Sequence, residues 1–206
     1  MSWFFKLARS VCWLVLAVWF RLEYEGKENI PKTGSYILAC NHTEYYDPLI
    51  LVFGIKRMIR FLSKAELSGN IVTRKFFEWV GTLPVDRGSG DTGLIDRCVE
   101  LAAQGYPLGI FPEGTRYRGK PGKPKSGMVY IAKRSKVSVI PCAIIYECTS
   151  RFRSRVTVKY GKPISYETLG LEDDSPRALK RATKMVWDEV LSLLGVLDDE
   201  TKDSNC

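Results

Sequence analysis

Histidine is nearly absent from this sequence: His42 is the single one in 206 residues. A zinc site would therefore draw almost all its ligands from thiolates. The six cysteines, at 12, 40, 98, 142, 148 and 206, include no Cys-x-x-Cys pair, so no metal is expected. They read as reduced thiols that pack as small apolar residues in a cytosolic compartment. No Gly-x-Ser-x-Gly is present, which removes the usual signature of a serine nucleophile and an acyl-enzyme. No internal repeat marks a solenoid. No apolar run reaches the ~20 residues that a bilayer-spanning helix needs. The nearest approach to a phosphate-binding P-loop is Gly119 to Ser126, where Pro124 stands in place of the second glycine. Proline has no N–H to offer a phosphate, and nucleotide hydrolysis is excluded.

What is present suits one domain. Hydrophobic residues make up 45% of the chain, enough for a single core. Thirty-one Lys and Arg against 23 Asp and Glu leave a net charge of +8. That excess favours an anionic partner, whether nucleic acid, anionic lipid or a phosphorylated substrate. The basic residues are dispersed, with no aromatic-studded RNA motif and no recognition-helix pattern, so nucleic acid is not expected. A basic protein that binds anionic lipid or nucleic acid without catalysis remains the alternative from another class.

The first 24 residues form a segment of their own. Trp3, Phe4, Phe5 and Leu7 lead into an apolar run from Val11 to Phe20, bracketed by Lys6, Arg9 and Arg21. The run is half the length of a span, and no small-x-small cleavage site follows it. It reads as a helix lying in a membrane interface, with Trp3, Trp13 and Trp19 at headgroup depth. A buried core helix and a short tilted span are the competing readings.

Beyond it, strands alternate with helices, which predicts an α/β layered mixed sheet flanked by helices over residues 25–197, then a polar tail at 198–206. Strands are expected at 36–40, 58–62, 83–85, 108–111, 137–146 and 156–160. Helices are expected at 48–53, 71–80, from Asp91 or Thr92 to Ala103, at 127–134, and from Ser175-Pro176 to near Gly195. Asp47-Pro48 reads as a helix start, with Asp47 at the cap. Residues 118–125, rich in Gly, Pro and Lys, read as a mobile loop.

His42 is the one side chain with an unperturbed pKa near neutrality, so it is the candidate general base. It follows an apolar strand, where ligands of α/β sheets bind. Asp47 lies five positions on, with a turn between. A carboxylate there can hold one ring nitrogen and leave the other free to take a proton from an alcohol. The competing reading has Asp47 only capping the next helix.

Four blocks then resemble, in order, those of the glycerolipid acyltransferases typified by 1-acyl-glycerol-3-phosphate acyltransferase. Asn41-His42-Thr43-Glu44-Tyr45-Tyr46-Asp47-Pro48 is similar to the first and Gly81-Thr82-Leu83-Pro84-Val85-Asp86-Arg87 to the second. Phe111-Pro112-Glu113-Gly114-Thr115-Arg116 matches the third and Val139-Ile140-Pro141-Cys142 resembles the fourth. The resemblance runs from about residue 25 to 165. It departs from many relatives in its short N-terminal helical segment.

The resemblance implies transfer of a fatty acyl group from acyl-CoA or acyl-carrier protein to the free hydroxyl of 1-acyl-glycerol-3-phosphate (lysophosphatidic acid), giving phosphatidic acid. It implies no cofactor beyond the acyl donor as co-substrate, and a peripheral enzyme on the cytoplasmic face of a membrane. His42 and Asp47 would be catalytic. Arg87 and Arg116 would bind the acceptor's phosphate, with Glu113, Gly114 and Thr115 beside them. Lys120, Lys123 and Lys125 are placed to meet anionic groups of donor or phosphate. The same chemistry on another lysolipid acceptor is the second enzymatic reading.

Overall fold

The computed structural model describes residues 3–64, 82–85, 90–149, 151–173 and 175–196. The helix expected at 71–80, Arg87 of the second block and the tail at 198–206 lie outside the described residues. In chain order the elements are α1 (Trp3–Trp19), β1 (Arg21–Glu25), a 3-10 turn (Lys27–Asn29), β2 (Ile37–Cys40), α2 (Asp47–Phe53), β3 (Arg60–Lys64), β4 (Thr82–Val85), α3 (Gly90–Ala103), β5 (Leu108–Ile110), α4 (Gly127–Ser135), β6 (Val139–Tyr146), β7 (Arg155–Tyr160) and α5 (Pro176–Leu194).

The strands form one seven-stranded sheet in the order β1-β7-β6-β2-β5-β3-β4. Among the described residues, β6 and β7 are the one antiparallel strand pair; every other neighbouring pair is parallel. The mixed α/β sheet expected from the pattern is what forms. All four residues of β2 are buried, as an apolar strand central to a sheet covered on both faces should be. Successive residues point to opposite faces. Ile37 and Ala39 pack with Cys98, Leu101, Val129, Ala132 and Val186 of α3, α4 and α5. Leu38 and Cys40 pack with Ile50 and Leu51 of α2 and with Phe20 just past α1.

Two boundaries differ from the sequence pattern. The first helix stops at Trp19, and Arg21 to Tyr24, grouped above with the helical segment, belong instead with Glu25 to the edge strand β1, paired with β7. Its alternation of exposed Arg21, Glu23 and Glu25 with half-buried Leu22 and Tyr24 is that of a strand with one solvated face. Asp47 is the first residue of α2 and Tyr46 occupies the cap position, making no side-chain capping bond. The Asp47 carboxylate is spent elsewhere. At the other end of the chain the expected signals operate. Ser175 caps α5 by accepting from the Ala178 N–H at 3.2 Å, and Gly195 follows its last turn at φ 77°.

Candidate active site

β2, β5 and β6 run parallel side by side, so their carboxyl ends open on the same edge of the sheet. The chain must leave β2 there without stranding buried polar groups. Asn41 manages the exit: its amide donates to the Ile144 carbonyl at 3.0 Å and accepts from the Ile144 N–H at 2.8 Å. A side-chain amide thus continues the ladder to β6 for one step, and the backbone is free to turn away at His42.

His42 Nδ1 lies 2.8 Å from Asp47 Oδ2. Asp47 is fully buried, and the same oxygen accepts the Thr43 N–H at 2.7 Å and the Glu44 N–H at 2.8 Å. Its other oxygen accepts from the Tyr146 hydroxyl at the end of β6. The carboxylate therefore folds back over its own loop rather than capping α2. Because backbone N–H groups can only donate, Oδ2 is fixed as an acceptor, which makes Nδ1 the protonated ring nitrogen and leaves Nε2 with a free lone pair, able to accept a proton. Burial raises the Tyr146 phenol far above its ordinary range, and the neighbouring Asp47 charge raises it further. Tyr146 is thus held as a donor. The imidazole keeps 18% of its side-chain surface exposed, and its ring stacks on Phe111 at 4.1 Å between centroids and 19° between planes. Tyr146→Phe is expected to lower kcat about tenfold through the lost bond to a charged group, with KM for both substrates little changed in steady-state assays.

The third block, at the end of β5, closes the loop from the other side. Glu113 is buried at 3% exposure, and its two oxygens accept the His42 N–H at 2.8 Å and the Gly122 N–H at 2.5 Å. Tyr117 N–H donates to the His42 carbonyl at 2.8 Å, and Lys125 N–H to that of Pro112 at 2.8 Å. Segment 118–125 has no helix or strand, as expected, yet it is stitched to the His42 loop through Glu113. The Glu113 oxygens are thus engaged by backbone N–H groups and not by the Arg116 guanidinium, which lies on Tyr45. Burial holds the Glu113 carboxyl above its usual 4.5, against the two N–H donors that pull it down. A carboxyl raised in the folded state binds its proton more tightly there than when unfolded. Its contribution to stability is therefore greatest at low pH and declines as pH rises from 4.5 through the raised value. Glu113→Gln should flatten that part of the profile. It should also cost ~1–3 kcal/mol, because one amide N–H must face a backbone donor; denaturant titrations across the acid range measure both.

Gly114 sits at φ 72°, a left-handed conformation that glycine adopts without strain. A Cβ there would come 3.1 Å from Lys125 Nζ, so the lysine lies against this turn. Gly114, Thr115 and Arg116 are all exposed, as are Lys120, Lys123 and Lys125. The Arg116 guanidinium lies 3.3 Å from the centroid of the Tyr45 ring, on the loop between His42 and Asp47. Arg118 pairs with buried Glu44 at 3.0 Å. Neither Arg116 nor Arg118 uses Glu113, and a flat guanidinium stacked on an aromatic ring keeps its in-plane donors for an oxyanion. Tyr146, Phe111 as a stacking surface and the Glu44–Arg118 pair were not singled out from the sequence.

A family model described as acyltransferase matches residues 21–145, more than half of the chain. The chain belongs to the acyltransferase family. Among curated proteins, acyltransferase relatives include the 1-acyl-sn-glycerol-3-phosphate acyltransferase of Bacillus subtilis, 29% identical over 140 residues that cover 68% of this chain and 70% of that one. The protein of the same name from Borreliella burgdorferi is 30% identical over 122 residues, covering 58% and 49%. A lyso-ornithine lipid O-acyltransferase of Pseudomonas aeruginosa is 38% identical over 110 residues, covering 52% and 42%. The match thus spans about half the length of the latter two. Among solved structures, the acyltransferase PlsC of Thermotoga maritima superposes with a TM-score of 0.72 over 95% of this chain and 81% of that one, at 22% identity. At that identity the likeness speaks for the fold.

Proposed function

We propose that the chain transfers a fatty acyl group from a thioester, acyl-CoA or acyl-carrier protein, to the free hydroxyl of 1-acyl-glycerol-3-phosphate. The observation that carries this reading is the His42 Nδ1–Asp47 bond, made by a buried carboxylate to an imidazole that still reaches the surface. His42 Nε2 takes the proton of the acceptor hydroxyl as its oxygen attacks the thioester carbonyl. The C–S bond then breaks, the acyl C–O bond is complete, and the imidazolium returns the proton to the leaving thiolate. Asp47 stabilises the imidazolium between those two events. No thiol is called on: burial raises Cys40 and Cys98 well above their ordinary range, away from the reactive thiolate form.

The acceptor's phosphate is assigned to Arg116, and by family resemblance to Arg87, with Lys125 beside the turn. Arg116→Ala is expected to raise KM for lysophosphatidic acid about tenfold or more, with a smaller change in kcat, in assays of initial rate against acceptor concentration. The 38% identity to the lyso-ornithine lipid enzyme favours testing a second acceptor. If transfer to lyso-ornithine lipid exceeds that to lysophosphatidic acid, the acceptor assignment fails and the chemistry stands. Parallel assays with acyl-CoA and acyl-carrier protein decide the donor, whose anionic groups would meet exposed Lys120 and Lys123. Among the described residues no helix is long and apolar enough to cross a membrane. We assign α1 to the interface of a membrane, on its cytoplasmic face, from its exposed apolar residues and tryptophans.

A further inference from the structure

Residues at i, i+3, i+4, i+7 and i+8 of a helix share one face, and in a folded protein an apolar set at that spacing normally points into the core. In α1 that set is Val11, Leu14, Val15, Val18 and Trp19, and every one is exposed, from 48% for Trp19 to 61% for Val15. Leu16, on another face of α1, packs against the core. The turn between β6 and β7 lies at the foot of this stripe. There Phe152 is 56% exposed and meets Trp19 edge to face at 5.5 Å. The placement is enforced by the backbone. Arg153 adopts φ 62°, rare for a residue with a side chain. Its N–H donates to the Trp19 carbonyl at 2.6 Å and its guanidinium to the Ala17 carbonyl at 2.9 Å, satisfying the open end of α1. A strained turn thus holds an aromatic ring out in water beside a water-exposed apolar helix face.

The charge around this surface is mainly basic; the acid within the β6–β7 connection, Glu147, accepts the Arg155 N–H at 3.3 Å. Residues 1–22 contain no acid, and neither does Arg151-Phe152-Arg153-Ser154-Arg155. Arg21, Arg151 and Arg153 are exposed beside the stripe, while Arg155 pairs with Glu23 at 3.2 Å. The stripe also ends next to the catalytic loop. Phe20 packs on Tyr46 at 5.6 Å and on Tyr146 at 6.2 Å, and Tyr146 holds Asp47.

We infer that the β6–β7 turn is a second membrane-docking element: Phe152 enters the headgroup–acyl boundary alongside Trp19, and Arg21 and Arg151 bind anionic lipid headgroups. The inference rests on the interfacial reading of α1. Two docking points, one at each side of the foot of α1, fix the protein's tilt where a single helix would leave it free. They set the carboxyl edge of the sheet, and with it His42, at the lipid surface from which the acceptor comes. Basic side chains and interfacial aromatics are the groups such a surface favours.

The test is sedimentation of the full chain with vesicles of phosphatidylcholine alone and of phosphatidylcholine with phosphatidylglycerol. Phe152→Ser and Arg151→Glu are compared with Leu14→Ser/Val15→Ser, all checked by thermal melting and by acyl transfer in detergent micelles. We expect tighter binding to the anionic vesicles. Phe152→Ser should weaken it about tenfold, and Arg151→Glu about tenfold or more on anionic vesicles only. Both variants should keep their micellar activity. Unchanged binding by both variants, with release in the α1 variant, overturns the second element and leaves interfacial α1 standing; retention by all three removes that reading too. Equal affinity for the two vesicle types overturns the anionic preference. A lipid-free dimer that Phe152→Ser converts to monomer, with vesicle binding intact, would assign this face to a second copy of the chain instead.

Discussion

His42→Ala is expected to reduce kcat ~10²–10⁴-fold, the range that a well-placed general base contributes. KM for lysophosphatidic acid should move little, because the residues assigned to the phosphate are others. The side chain is only part-buried and its main partner is the Asp47 carboxylate, so folding should lose no more than ~1 kcal/mol. The assay is release of free thiol from an acyl thioester on adding acceptor, with a melting curve on the same preparation. Near-full turnover in the variant would remove the base from the mechanism.

Asp47 separates charge from geometry when changed in two ways. In Asp47→Asn the remaining carbonyl oxygen can still take the Thr43 and Glu44 N–H groups, and the amide can donate to Tyr146, whose hydroxyl also accepts. The fold should survive while kcat falls ~10²–10⁴-fold, because no charge remains to stabilise the imidazolium. Asp47→Ala leaves two backbone N–H groups, a phenol and the imidazole N–H facing an empty pocket. At ~1–3 kcal/mol for each unpaired buried donor, it should cost at least ~2 kcal/mol of stability as well as activity. Denaturant midpoints and kcat, measured together, tell the variants apart. Equal stability in Asn and Ala would mean that the carboxylate's hydrogen bonds do not hold the loop.

Much of this site was legible in the chain because its two central residues are neighbours in sequence. Five positions and one turn bring His42 to Asp47, and no long-range information is required. The resemblance of four blocks supplied the order of the rest. Glu113 was visible as a residue but its partners were not: they are the backbone N–H groups of His42 and Gly122, which carry no sequence signal. Tyr146 was hidden for a different reason. It closes an apolar strand 99 residues from Asp47, and only the parallel pairing of β2 with β6 brings the two together. β1 escaped because Arg-Leu-Glu-Tyr-Glu reads as polar, although its alternation has the period of a strand. The Asp47 cap was anticipated from a rule that holds often; the carboxylate had stronger partners in its own loop and beside the histidine.

Acyl transfer by the double variant His42→Ala/Asp47→Asn, set beside the two single variants and the unaltered chain, tests the central claim most directly. A base and the group that orients it act as one unit, so the double variant should be no slower than His42→Ala alone. Losses that multiply, leaving it slower than His42→Ala by the full factor lost in Asp47→Asn, would show two independent contributions and contradict the pairing of His42 with Asp47 as the catalytic device.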